Sequence, residues 1–338
     1  MTQYAMAHDL LDDLSAQTRD AVRLALKIAF GSKKADFIAP LGGGASGAFP
    51  FRVEIEGRSY LVRVEGPASP LRNPHQYRSM RIAAEAGIAP KIYHIDESAR
   101  VAVMDFVEER PLRLFPGGPH ALAQAVGRLL ASLQGTRPFP HFIEYPEMVG
   151  RLWWWVCQSG LFASGVLDPC TERLAQLRAS YVWDTASSVS SHNDPVPRNI
   201  LFDGERLWLI DWESAYRNDP LVDVAIALDG FARTQELEQA LLTSFLGRRP
   251  EALTLERLTH ARALTRLYYA GVLLSASAAM SGPLGDEDRS ALSSSEFQRA
   301  VQSGQIIPGS ALAKHTLGKM YLASFMTGDV PPGLDLAT

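Results

Sequence analysis

The sequence predicts an α+β fold, with a β-rich N-terminal lobe and a mostly helical C-terminal lobe. Three observations carry this. Short runs rich in β-branched and aromatic residues cluster between Phe37 and Val107, separated by turn residues. Beyond residue 120 the apolar residues mostly recur at helical spacing. Between the two lies a breaker-rich link of Pro111, Pro116, Gly117, Gly118 and Pro119. The expected division is 1–108, including a leading helix, and 109–338.

Each element follows from local pattern. Residues 9–30 read as a helix, with Leu10, Leu11 and Leu14 on one face, then Val22, Ala25, Leu26 and Ala29, and Gly31 as the stop. Strands follow at Phe37–Ala39 and Phe49–Ile55, joined by the glycine-rich run 42–47. Glu56-Gly57-Arg58 is a turn into the strand Tyr60–Val64. Pro74–Ala86 reads as a helix stopped by Gly87, and strands lie at Ile92–Ile95 and Val101–Val107. Helices are expected over 120–134, 146–160 and 169–180, the last with Asp168 as N-cap and Pro169 in its first turn. Asp203-Gly204, between Ile200–Phe202 and Leu207–Ile210, is a hairpin signal. A long helical period runs over 255–280 through Leu258, Ala261, Thr265, Tyr268 and Val272.

Composition narrows the class. A length of 338 residues suggests about two domains. With 46% hydrophobic and 21% charged residues, the chain is ordinary for a globular protein, not a disordered, collagenous or rod-like one. The net charge of -4 leaves no basic excess for a nucleic-acid groove. Cys157 and Cys170 form no C-x-x-C pair, which argues against a zinc cage. The N-terminus lacks a basic region and reaches Asp9, Asp12 and Asp13 early, so no secretory signal is expected. The most apolar run, Leu267–Met280, contains Ser275 and Ser277 and is too short for a membrane span. It reads as a buried helix. The expected setting is cytoplasmic, with no membrane or nucleic-acid partner; oligomeric state is not legible.

The informative stretch runs from Ser191 to Asn199, S-H-N-D-P-V-P-R-N, and leads into the hairpin, which ends at Asp211-Trp212-Glu213. Pro195 and Pro197 forbid a regular helix there, so Asp194 and Asn199 lie on a shaped loop. The hairpin folds the chain back and brings Asp211 beside Asn199. Two carboxylates and an amide oxygen then converge. Phosphoryl transfer from ATP needs such a group: hard oxygen ligands for Mg²⁺, and a carboxylate that orients and deprotonates an attacking hydroxyl. Asn199 and Asp211 suit the metal and Asp194 suits the base. Singly, each residue is an ordinary turn former; the set carries the reading.

H-N-D-x-x-x-x-N followed by I-D-W-E resembles the aminoglycoside phosphotransferase and choline/ethanolamine kinase superfamily of small-molecule kinases. The resemblance covers about residues 35 to 280. It takes in the glycine loop, V-R-V around Arg63, G-I-A-P at 87–90, and Asn218-Asp219-Pro220 with Asp223. It implies a bilobal protein-kinase-like fold, with ATP and Mg²⁺ in the interlobe cleft and 1–108 as the nucleotide-binding lobe. On this resemblance Asp194 is the base, and Asn199 and Asp211 hold Mg²⁺. Glu213 supports them or holds a second metal. His192 anchors the loop and Asp223 braces it from the next helix. Backbone N–H groups of Gly44, Ser46 and Gly47 cover the phosphates. Arg63 meets the α/β-phosphates, and Met104, Asp105 and Val107 form the hinge that binds adenine. In this fold the basic residue usually pairs with a Glu on the next helix. The stretch Asn73-Pro74-His75-Gln76-Tyr77 has no acid, and Glu85 lies near the helix end, so the partner of Arg63 stays open.

The implied reaction moves the γ-phosphate to the hydroxyl of a small-molecule acceptor. V-R-V and the W-E-S-A-Y-R-N-D-P run favour the choline-kinase-like branch, hence an amino-alcohol such as choline or ethanolamine. Aminoglycoside, homoserine, thiamine and sugar acceptors are alternatives, as is a regulatory pseudokinase, whose support is the missing acid opposite Arg63. A metallohydrolase lacks a second His or Asp cluster. Trp212, Tyr216, Asp219, Trp155 and Tyr268 are expected at the acceptor, with Trp154 and Tyr269 nearby. An ammonium over such rings gains roughly 0.5–2 kcal/mol per contact. Three consecutive tryptophans, Trp153 to Trp155, cannot all face one core, because helical neighbours are ~100° apart.

Overall fold

Alternating burial along Phe49–Ile55 and Arg58–Val64 gives the N-terminal sheet two different faces. The computed structural model describes residues 15–42, 48–66, 73–181 and 185–332. Gly44, Ser46, Gly47 and the expected helical residues 9–14 lie outside them. Strands β1 (Phe37–Pro40), β2 (Phe49–Ile55), β3 (Arg58–Val64), β4 (Ile92–Asp96) and β5 (Val101–Asp105) form one antiparallel sheet in the order β1-β2-β3-β5-β4. Glu56 and Gly57 both adopt positive φ, 51° and 74°, the twist that a two-residue hairpin between β2 and β3 demands.

Side chains two apart on a strand share a face. Phe51, Val53, Tyr60, Val62, Val64, Val101 and Val103 are buried on one face beneath helix α1 (Ala16–Phe30), which contributes Val22 and Ala25. Ser15 caps α1 by accepting from the Thr18 N–H, and the helix stops at Gly31. The opposite face carries Leu61, Arg63, Ala102 and Met104, which turn with Glu65, just past β3, toward helix α2 (Gln76–Glu85) and a cleft. Strand β5 ends at Asp105, two residues before the expected Val107.

The C-terminal lobe holds α3 (Gly118–Gln134), α4 (Tyr145–Gln158), α5 (Asp168–Ser180), α6 (Pro220–Phe231), α7 (Gln235–Leu246), α8 (Ala252–Ser281), α9 (Ser294–Gln302) and α10 (Ala311–Thr327). The 30-residue α8 is the axle, packed on α4, α6 and α10. Its Gly271 lets α4 approach: a Cβ there would sit 2.8 Å from Leu152 side-chain atoms. On α4, Trp153 is buried while Trp154 and Trp155 are exposed, as helical geometry requires of three neighbours. Asp168 is the first helical residue of α5 and not its cap. Its N–H already bonds the Gly165 carbonyl, so the turn begins earlier.

Two small hairpin-like pairs complete the fold. Strands β7 (Ile200–Phe202) and β8 (Leu207–Leu209) form the hairpin that Asp-Gly announces. Strands β6 (Val189–Ser191) and β9 (Tyr216–Asn218) pair around it, with no sequence signal to foretell them: each is three residues long and partly polar. One apolar core crosses between lobes, joining Tyr77, Met80, Ile88 and Met104 to Leu209, Trp212 and Leu228. A backbone bond stitches the same boundary, Leu209 N–H to Ile88 carbonyl at 3.1 Å. Among the described residues no helix is long and apolar enough to cross a membrane.

Candidate active site

The loop after β6 is held from two directions. The backbone N–H groups of His192 and Asn193 donate to the two carboxylate oxygens of Asp223 on α6, at 2.8 and 2.6 Å. His192 Nε2 donates to the Ile210 carbonyl at 2.8 Å, which fixes the tautomer because a carbonyl can only accept. Burial pushes the His192 imidazole down to about 4, so it is neutral. Asn193, at φ 62°, donates to the Ser214 carbonyl and accepts from Asn218. The loop is thus tied to α6, to the hairpin and to β9 before Asp194 is reached.

Asp194 is gripped at both oxygens. Oδ2 accepts from Asn199 Nδ2 at 2.8 Å, and the same amide donates to the Asp194 carbonyl. Oδ1 accepts from the Tyr269 hydroxyl of α8 at 2.6 Å. Arg198 stands 3.7 Å from Oδ2. Burial raises the Asp194 carboxyl to about 6, against the pull of Arg198, Tyr269 and Asn199. A carboxylate poised there is a better proton acceptor than an ordinary one.

The hairpin returns the chain as the sequence demands. Ile210 N–H bonds the Asn199 carbonyl at 3.0 Å, so Asp211 follows directly beside Asn199. Asp211 takes a left-handed conformation, φ 65°, where Asp is among the few tolerated side chains. The turn 212–214 follows. Arg63 answers the question left open by the sequence. Its guanidinium bonds Glu65 at 2.7 Å and Asp211 at 2.7 Å, and lies 3.8 Å from Glu213. Glu65 was legible in principle: it stands two residues from Arg63, hence on the same face. Carboxylates on three sides raise the Arg63 pKa despite burial.

A cleft opens between the lobes, lined by Leu61, Arg63, Met104, Asp211, Trp212 and Glu213 among others. Met104 is among the residues that face it. The Asp105 N–H is committed to the Lys91 carbonyl, at 2.8 Å, by the β4 side of the sheet. Its carboxylate accepts from Tyr93 and meets Arg58. Val107 lies in the segment after β5 and is half-buried.

Aromatic rings gather on the other side of Asp194. Tyr268 packs on Tyr145 and Tyr269, with centroids 5.8 and 5.5 Å apart, and Tyr216 stands edge-on to Phe142. Met148 and Ile143 close this cluster. Of the acceptor residues the sequence suggests, Tyr216 and Tyr268 therefore meet here. Trp212 instead lines the interlobe cleft and packs on His192. Asp219 caps α6 and is taken up by Tyr181 and Arg257. Trp155 lies exposed on α4 with its ring against Trp154. Tyr145 and Phe142 escaped the sequence reading because nothing local distinguishes them from core aromatics.

Residues 38–263 match the family model described as the phosphotransferase enzyme family. The chain belongs to that family. A Haemophilus influenzae protein named LicA is 41% identical over 54 residues, 16% of this chain and 20% of that protein, so the match spans about a fifth of that relative. A choline/ethanolamine kinase family protein from Mesorhizobium loti superposes with a TM-score of 0.61 at 19% identity, over 92% of this chain and 95% of that one. The choline kinase LicA from Streptococcus pneumoniae gives 0.61 at 16% identity, over 91% and 100%. A spectinomycin phosphotransferase, solved with ADP and spectinomycin, gives 0.52 at 14% identity, over 76% and 88%. These likenesses establish the bilobal, protein-kinase-like α+β fold for this family member.

Among the described residues no three His, Cys, Asp or Glu side chains gather as a metal-holding group. Asp211 and the Asn199 amide oxygen supply hard oxygen donors. Mg²⁺ is commonly held in this way, by one or two protein oxygens completed by substrate phosphates and water.

Proposed function

We propose that this phosphotransferase family member is an ATP- and Mg²⁺-dependent kinase. It moves the γ-phosphate to the hydroxyl of a small cationic alcohol of the choline or ethanolamine class. The observation that carries the reading is the convergence on Asp194: Asn199 and the hairpin end Asp211 on one side, the tyrosine cluster on the other. Residues 1–108 supply the nucleotide side of the cleft and 109–338 the catalytic loop and acceptor side.

In this reading the acceptor oxygen bonds the γ-phosphorus as the bond to the β,γ-bridging oxygen breaks, and ADP leaves. The acceptor proton passes to the Asp194 carboxylate. Asn199 and Asp211 would hold Mg²⁺, which would neutralise phosphate charge. Arg63 faces the cleft where the α- and β-phosphates would lie, held in line by Glu65. The acid-poor α2 that favoured a pseudokinase loses its weight, because Arg63 has carboxylate partners on its own strand's end and on the hairpin.

The tyrosine cluster supports a cationic acceptor. An ammonium over desolvated rings gains up to about 2 kcal/mol per contact, and a neutral alcohol gains none of it. Acceptor-dependent ADP release should therefore show kcat/KM for choline or ethanolamine about tenfold or more above that for the carbon isostere of choline. Equal values would remove the cationic acceptor and keep the kinase. Turnover of spectinomycin alone would move the chain to the aminoglycoside branch.

A further inference from the structure

Asp194 is the proposed base, yet it sits on a loop that two prolines keep out of regular structure. The torsion that turns an Asp carboxylate is broad and nearly two-fold, so the side chain does not orient itself. Asn199 grips Oδ2, but it belongs to the same loop and moves with it. The grip on Oδ1 comes from elsewhere. Tyr269 lies 75 residues away on α8, and its hydroxyl donates at 2.6 Å.

From this geometry we infer that Tyr269 is a positioning residue for the base. Its phenol ties the Asp194 carboxylate to the helical frame and fixes which oxygen faces the acceptor. The frame can bear this. Tyr269 is buried, its ring packs on Tyr268 and Tyr321 at 5.5 and 5.8 Å, and α8 is clamped by α4 and α10. Burial and the nearby Asp194 charge hold the Tyr269 hydroxyl well above its ordinary pKa, so it stays a donor. With each oxygen gripped by a different element, the carboxylate cannot turn without breaking a bond to one of them. The inference rests on the reading of Asp194 as base.

The test compares Tyr269→Phe with Tyr321→Phe in the full chain, using acceptor-dependent ADP release. Tyr321 is a control of the same chemistry one ring away, its hydroxyl spent on the Pro332 carbonyl. Tyr269→Phe keeps the ring and should keep the melting temperature within a few degrees and ADP binding within about twofold. Its kcat should fall about 10- to 100-fold, the scale of a misoriented reacting group, with both KM values within about twofold. Tyr321→Phe should retain parental kcat. An unchanged kcat in Tyr269→Phe overturns the inference. So does a raised acceptor KM at intact kcat, which would make Tyr269 a wall of the pocket, and so does an equal loss in Tyr321→Phe. A parent with no acceptor-dependent turnover would remove the base reading and this inference with it. An active parent with an indifferent Tyr269→Phe would remove this inference alone.

Discussion

Arg63 on β3 and Asp211 at the end of the hairpin meet at 2.7 Å, 148 residues apart in the chain. The pair joins the sheet to the hairpin end, and Glu65 completes it with its side chain only 6% exposed. Removing the cation strands two carboxylates in a largely desolvated place. Arg63→Met should cost about 3–5 kcal/mol of unfolding free energy, the usual result of breaking a buried pair from one side. Adding Glu65→Gln should return part of that loss. Urea titration of both variants checks this, and strictly additive losses would contradict it.

Asp194→Asn keeps the shape of the base and removes its proton affinity. The kcat for acceptor phosphorylation should drop ~10²–10⁴-fold, the range for general-base catalysis. ADP affinity, measured by calorimetry, should stay near parental. Near-parental turnover would strip Asp194 of its role.

Asp211→Ala removes the carboxylate from the proposed metal pair and leaves Asn199. Nucleotide affinity should lose its dependence on added Mg²⁺, since the ion needs protein oxygens as well as phosphates. Titrating ADP with and without Mg²⁺ reads this directly. A variant whose affinity still rises with Mg²⁺ as the parent's does would place the ion elsewhere.

His192 gives the pH dependence of stability a sign. It is fully buried and neutral, with a folded pKa of about 4 against the ordinary 6.5. The folded state takes up this proton less readily than the unfolded chain. The stability is complete above pH 6.5 and declines as pH falls toward 4, by up to about 3 kcal/mol from this one group. His192→Gln should flatten that decline while costing some stability at neutral pH. Parallel curves for the two proteins between pH 6.5 and pH 4 would assign the decline to other groups.

Legibility followed distance along the chain. Asp194, Asn199 and Asp211 could be gathered from sequence because a proline-stiffened loop and a hairpin are local devices, and local devices have local signals. Glu65 is equally local, two residues from Arg63 on one strand face, but the fold's usual pattern directs attention to an acid on α2. Asp223 came into view only through the family resemblance, and its carboxylate accepts from the His192 and Asn193 N–H groups at 2.8 and 2.6 Å. The pairing of β6 with β9 left no trace, since Val189–Ser191 has too few apolar residues to show a period.

The sequence by itself determined the family, the α+β order of elements, and the loop–hairpin unit that sets Asn199 beside Asp211. Tertiary structure alone decided the surroundings of that unit. It brought Tyr269 to Asp194 and Tyr145 to Tyr268 from separate helices, turned Asp219 into a cap held by Arg257, and left Trp155 on the surface. The physical reason is the difference between backbone and packing. Turns and periodicities act between residues a few positions apart and are written in residue type. Which face of α8 meets which face of α4 depends on close approach at Gly271 and on volume filled by many side chains at once, and no short stretch of sequence encodes it.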